Sequence, residues 1–262
     1  MSIFNGVIFS EALNMDTTVG VILPQDSRYT RDIVPMPEDV IKRDPPKTLI
    51  LLHGLTDNWM AWSHRSRILN FAEQYGVAVL MPEVQRSFYQ DMTYGEAYFT
   101  YITEELPELA SKMFHISVEP CDLMVAGLSM GGYGALKCGL TYPERYSAVG
   151  AFSSATDMAE FASNMPVRKE TRRYEYVLKG IFGTDLLVPD SARLELLALK
   201  SKGTKLPFMM TCGTEDELYD GNLKLYQQLS TLGYDVTFDA WSGVHEWGFW
   251  DTSIQMFLKR FI

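Results

Sequence analysis

Asp122-Leu123-Met124-Val125-Ala126-Gly127-Leu128-Ser129-Met130-Gly131-Gly132-Tyr133-Gly134 is the stretch that decides the fold. Its first five residues form a short apolar run that suits a buried strand. Gly132 to Leu140 suits a helix with one face of small residues. Between them lies Gly127-Leu128-Ser129-Met130-Gly131, a G-x-S-x-G pattern. Strand, sharp turn and helix together hold a serine on a strained turn with its hydroxyl exposed. Side chains at the flanking glycines would collide with the adjoining strand and helix, which is why glycine stands there. A serine in a glycine-rich turn is more often structural than reactive, so the reading depends on partners elsewhere in the chain.

A serine hydroxyl is a poor nucleophile until a base takes its proton. The chain has four histidines, His53, His64, His115 and His245, and only His245 follows Ser129. It lies in Ser242-Gly243-Val244-His245-Glu246-Trp247, just after the alternating run Tyr234 to Trp241. The order serine, acid, histidine is that of the α/β-hydrolase triad. The acid is expected after the strand Leu206 to Cys212, in Gly213-Thr214-Glu215-Asp216-Glu217. Asp216 is chosen by position, with Glu215, Glu217 and Asp220 as alternatives that also read as solvated loop charges. Leu52-His53-Gly54-Leu55 ends the apolar strand that begins at Thr48. In this arrangement the backbone N–H groups of Leu55 and Met130 are the expected oxyanion donors. His53 is expected to be structural, and His64 and His115 to lie on the surface. Trp59, Trp62, Phe88 and Tyr89 are candidates for the pocket wall, although aromatic residues near a strand end are as often core.

The rest of the chain agrees with an α/β-hydrolase fold: a mainly parallel eight-stranded sheet flanked by helices, with a small helical cap. Residues 7–13 and 18–23 read as an antiparallel pair, 48–52, 77–81 and 148–152 as buried strands, and 64–75, 95–114 (interrupted near Pro107) and 246–261 as helices. Residues 155–205 hold helical pieces and no convincing strand, as expected of a cap inserted in one domain spanning 1–262. That segment carries a basic cluster, Arg168, Lys169, Arg172 and Arg173, which reads first as a solvated helix face.

With 262 residues and 47% hydrophobic content the chain can bury a sizeable core. Its formal charge of −10 argues against nucleic acid or an anionic membrane as partner. No apolar run approaches the roughly 18 residues that a membrane span requires. The N-terminus lacks the pattern of a secretory leader. Cys121, Cys138 and Cys212 are odd in number and show no metal-binding spacing, so they read as small core residues in a reducing cytoplasm. No metal or organic cofactor is implied.

Several pieces of the chain resemble one known group. They are Leu51-Leu52-His53-Gly54-Leu55 with Asn58 and Trp62, Met81-Pro82, Tyr94-Gly95, Ala126 to Gly134, Cys212 to Asp216 with Leu218-Tyr219, and His245-Glu246-Trp247 with Trp250. On these the chain resembles the esterase D-like branch of the α/β-hydrolases, and most closely the tributyrin esterases of lactic acid bacteria and streptococci. The resemblance implies a cytoplasmic serine carboxylesterase acting on short acyl chains, with Ser129, Asp216 and His245 as triad, Leu55 and Met130 as oxyanion donors, and a dimeric or tetrameric assembly. Carbohydrate deacetylase and feruloyl-type esterase are the alternatives. S-formylglutathione hydrolase is less favoured: such enzymes resemble Gly-Leu-Thr-Cys at the oxyanion turn and carry histidines in the elbow, where this chain has Asp57, Leu128 and Tyr133. A small-substrate amidase or peptidase would use the same triad.

Overall fold

The computed structural model describes residues 1–25, 45–164 and 174–262. The basic cluster Arg168, Lys169, Arg172 and Arg173 lies outside the described residues. Eight strands form one sheet: β1 (Ser2–Ser10), β2 (Met15–Leu23), β3 (Thr48–Leu52), β4 (Ala78–Pro82), β5 (Leu123–Leu128), β6 (Ala148–Phe152), β7 (Phe208–Gly213) and β8 (Val236–Trp241). Their order is β1-β2-β4-β3-β5-β6-β7-β8. The hairpin β1–β2 pairs antiparallel, and β2 also runs antiparallel to β4; the strands from β4 to β8 are parallel to one another.

Every residue of β3 to β7 is buried. A parallel strand covered on both faces needs apolar side chains in both directions, hence the continuous runs in the sequence. Alternation then sends them to two cores. Ile50 and Leu52 join one with helix α4 (Met130–Thr141), whereas Leu49 and Leu51 join the other with α2 (Ile68–Tyr75) and α9 (Trp247–Phe261). α1 (Ala61–Arg65) precedes α2 on that second face. The expected helix 64–75 is thus two pieces. Ser66 separates them, its hydroxyl accepting the Ile68 N–H, while Asp251 of α9 accepts the Arg67 N–H.

The helix expected over 95–114 begins at Tyr98, passes through a π-helical turn at Tyr101–Glu105 and continues as α3 (Leu106–Met113). Pro107 has no N–H to offer the carbonyl four residues back. That carbonyl, on Thr103, accepts instead from Arg145 Nη1 at 3.0 Å. Glu105, at the end of the wide turn, reaches the first hairpin. It accepts from the Ser10 hydroxyl and from the backbone N–H groups of Glu11 (2.6 Å) and Ala12 (3.3 Å). The hairpin loop therefore covers Glu11 to Asn14, with Ser10 opposite Met15, so the turn lies earlier than the gap between the expected runs 7–13 and 18–23.

Between β6 and β7 the described residues form α5 (Met158–Asn164), α6 (Glu175–Phe182) and α7 (Leu194–Lys200), and no strand. Helix α8 (Tyr219–Thr231) joins β7 to β8. No described helix is long and apolar enough to cross a membrane. Cys138 and Cys212 are buried as expected, but Cys121 is exposed, because it sits in the turn that precedes β5.

Candidate active site

Ser129 separates β5 from α4 with φ 53° and ψ −115°. A left-handed φ on a non-glycine residue stores strain that the surroundings must hold. Backbone packing does so. A β-carbon on Gly127 would stand 2.5 Å from the Gly131 carbonyl group and 2.8 Å from Leu52 Cβ. One on Gly131 would meet the Leu52 carbonyl and come within 2.8 Å of the His53 carbonyl oxygen. Helix and strand thus touch backbone to backbone. The Ser129 N–H donates to Phe152 O at 2.9 Å, which ties the turn to the end of β6. From Asp122 to Leu140, Ser129 is the one residue that is not buried.

Asp216 and His245 follow the ends of β7 and β8. His245 Nδ1 lies 2.9 Å from Asp216 Oδ2. Burial alone would raise the Asp216 carboxyl, but the hydrogen bonds from His245 and from the Leu218 N–H (2.9 Å) hold it below the usual aspartate value. A carboxylate only accepts, so the imidazole proton sits on Nδ1 and Nε2 is left with its lone pair. The His245 ring stands edge-on to Trp250, with centroids 4.9 Å apart. Of the four neighbouring carboxylates, only Asp216 is buried. Glu215 instead accepts the Gly243 N–H at 2.6 Å and anchors the histidine loop from the other side. That loop lies so close to β7 that a β-carbon on Gly213 would be 2.5 Å from the Gly243 carbonyl carbon.

Across from Ser129, β3 ends in the turn His53-Gly54-Leu55. The β-carbon position of Gly54 lies 3.8 Å from Ser129 Cβ. Met130 opens α4, so its N–H lies ahead of the helix's own hydrogen-bond ladder. Among the described residues the Leu55 N–H has no protein acceptor. His53 is buried, with Nδ1 2.8 Å from Gly54 O and Nε2 accepting the Val84 N–H at 3.3 Å. Both ring nitrogens are occupied by backbone groups, as befits a structural histidine. His64 and His115 are exposed.

The four aromatic residues expected at the pocket wall have other places. Trp62, Phe88 and Tyr89 are wholly buried. Trp62 Nε1 donates to Leu52 O at 2.9 Å, and the Tyr89 hydroxyl donates to His53 O at 2.8 Å. Indole and phenol each needed a buried acceptor, and the turn's carbonyls supply them. Trp59 is half-buried, its ring over Gly20 of β2. A cleft of about 450 Å³ opens beside Leu55, and neither these four nor Ser129 and His245 are among its lining residues. Its walls include Asp57, Arg86, Met92, Tyr94, Tyr98 and Tyr176. The sequence marked Tyr94 only as part of a Tyr-Gly pair. Tyr176 belongs to α6, which no local signal connects to the oxyanion turn.

Residues 85–90, of which Gln85, Arg86 and Ser87 line this cleft, hold three non-glycine residues at positive φ, Gln85 (52°), Phe88 (49°) and Tyr89 (53°). Lys137 of α4 reaches across to them. Its buried ammonium donates to Tyr89 O (3.0 Å) and Gln90 Oε1 (2.5 Å) and sits 3.9 Å over the Phe99 ring. Gln90 in turn donates to the Tyr133 hydroxyl (2.6 Å), and Tyr133 to Ala192 O (2.7 Å). The ammonium has no carboxylate within ion-pair reach among the described residues.

The Esterase family model matches residues 10–261. An acetyl esterase of Caldicellulosiruptor saccharolyticus is 31% identical over 262 residues, spanning 97% of this chain and 96% of that one. Substrate-bound FphF, a fluorophosphonate-binding serine hydrolase of Staphylococcus aureus, superposes with TM-score 0.83 at 26% identity, covering 99% of this chain and 98% of that one. The S-formylglutathione hydrolase FrmB of Staphylococcus aureus does so with TM-score 0.80 at 26% identity over the same shares. With its eight-stranded sheet and its strand-end serine, the chain belongs to the Esterase family of serine ester hydrolases.

Proposed function

We propose that the chain is a carboxylesterase for short acyl chains, in the acetate to butyrate range, working through an acyl-enzyme on Ser129. Two observations support this reading, the Asp216–His245 pair at 2.9 Å and a strand-end serine held at φ 53°. His245 Nε2 takes the Ser129 proton as the hydroxyl oxygen attacks the ester carbonyl carbon. The Leu55 and Met130 N–H groups receive the negative oxygen. Collapse of the tetrahedral species expels the alkoxide, which leaves with the proton from His245. Water then repeats both steps on the acyl-enzyme and frees the acid and Ser129. Asp216 stays ionised and stabilises the imidazolium. Helices α5 to α7 are read as a cap over the strand ends.

The acyl range rests on two supports: the tributyrin-esterase resemblance and the acetyl esterase that is 31% identical to this chain. The test is hydrolysis of p-nitrophenyl esters from acetate to laurate by wild type and Ser129→Ala. Acetate and butyrate should be cleaved fastest, octanoate poorly. The alanine variant should lose on the order of 10⁴-fold or more in kcat. Activity that survives in Ser129→Ala would end the serine mechanism. S-formylglutathione belongs in the same panel, because FrmB carries that activity in its name. A higher kcat/KM for it than for any acetate or butyrate would replace the short-chain reading.

A further inference from the structure

Lys137 takes no part in ester cleavage. It lies eight residues along α4 from Ser129, about 12 Å at the helical rise. A buried charge is costly unless it is paired and hydrogen-bonded. The partners of this one are the Tyr89 carbonyl, the Gln90 amide oxygen and the Phe99 ring, and all three are neutral. An ammonium has three N–H bonds, and oxygens of the described residues take two of them. One helical turn further on, the Thr141 hydroxyl oxygen is buried and has no hydrogen-bond partner among the described residues.

Both residues line a cavity of about 440 Å³, and none of Ser129, Asp216, His245, Leu55 and Met130 lines it. One side of this cavity is apolar, built from Ile181, Phe182 and Pro189, with Phe99 and Tyr142 stacked at 5.9 Å between centroids. Leu187, 76% exposed, stands where it meets solvent. A thin wall parts it from the cleft beside Leu55. The Thr93 and Tyr94 N–H groups donate to Ile181 O (3.0 Å) and Gly180 O (2.8 Å). Tyr94 and Gly180 line the cleft, whereas Thr93 and Ile181 line the cavity. Asp91 is the one carboxylate among the lining residues, and its two oxygens already accept the Thr100 N–H and hydroxyl, each at 2.9 Å.

We infer that this cavity is a second ligand site, for a small monocarboxylate: its carboxylate meets Lys137 and Thr141, and its apolar tail lies along Ile181, Phe182 and Pro189. A carboxylate supplies the missing negative partner and accepts the remaining N–H of the ammonium and the Thr141 O–H. A few polar groups at one end of an apolar hollow are what fix the orientation of such a ligand. A cation would be repelled by the ammonium. A phosphate would set its further charge against Asp91 and the apolar wall, where no described side chain pairs with it.

The test is calorimetric titration at pH 6, where the Lys137 ammonium stays largely protonated. The probes are sodium butyrate and sodium benzoate, with the uncharged butyramide and benzamide as controls. Wild type should bind one acid per chain at this site, and the amides about tenfold more weakly or worse. Lys137→Met should lose that site or weaken it about tenfold or more. Thr141→Val removes a hydroxyl that has no partner, so it should fold, yet weaken the site by roughly fivefold. It carries the test if Lys137→Met does not fold. Acid held at Ser129 would bind wild type and both variants alike, so the readout is the difference between them. Nothing is hydrolysed, so the result stands apart from the fate of the serine mechanism. No saturable binding of either acid, amides that bind as tightly as the acids, or variants that keep the wild-type number and strength of sites would each overturn the assignment.

Discussion

Ser129 and Leu55 stand at the ends of neighbouring parallel strands, yet the turns that carry them are held in opposite ways. The serine turn is fixed by the absence of side chains. Gly127 and Gly131 let helix α4 press its backbone on β5 and on the end of β3, and backbone atoms with the Leu52 β-carbon fill the gap. The facing turn is fixed by side chains that reach in from elsewhere. Trp62 holds Leu52 O, Tyr89 holds His53 O, and His53 holds Gly54 O. A turn packed backbone to backbone cannot yield by a rotamer change, whereas a turn held by hydrogen bonds can lose one brace and keep the rest. The two halves of one site should therefore fail differently.

The sharpest way to break this contrast is Gly131→Ala. The added carbon would meet the Leu52 and His53 carbonyls, so β3, α4 or both must shift. A displacement of about 1 Å at the reacting atoms can cost about a hundredfold in rate. We expect at least that loss in kcat, with a stability loss of about 2 kcal/mol or more, measured by urea denaturation. Wild-type kcat in this variant would mean the elbow is not tightly packed. Tyr89→Phe tests the other half with a smaller effect. It removes one hydroxyl and leaves the buried His53 carbonyl without that donor, at a cost of about 1–3 kcal/mol in stability. Its kcat should fall by less than about tenfold, because Trp62 and His53 still hold the turn. A loss as large as that of Gly131→Ala would show that the braces act as one unit.

The same contrast explains what could be read from the sequence. The elbow was legible because its requirements are local: an apolar run, a serine between two glycines, and a small-residue helix. Strands Thr48–Leu52 and Ala148–Phe152 stood out as continuous apolar runs because both of their faces are buried. The acid and the histidine are expected from the serine–acid–histidine order along the chain, and the family resemblance only supports that choice. What depends on distant partners was misread or missed. The first turn was set by Glu105, some ninety residues away, and Asn5 and Gly6 masked the true length of β1. The break between α1 and α2 involves Asp251. Trp62, Phe88 and Tyr89 have the composition of a pocket wall, but their burial depends on carbonyls and helices that no local pattern reveals. The cleft residues Tyr94 and Tyr176 come from segments far apart in sequence.

Lys137 ties the stability of the protein to proton concentration. Burial, opposed by the neighbouring Cys138 and Asp91, pulls its ammonium down to about 7. In the unfolded chain the same group holds its proton up to about 10.4. Below pH 7 both states are protonated there, and the native state bears the full cost of a buried charge. Between these values the native state has released the proton and the unfolded state has not, so stability should climb as the medium turns alkaline. In Lys137→Met this slope should flatten, and the variant should gain most over wild type near pH 6, as thermal melts at several pH values would show. Helix α4 thus carries an alkaline bias: the fold is most stable where the buried Lys137 is uncharged.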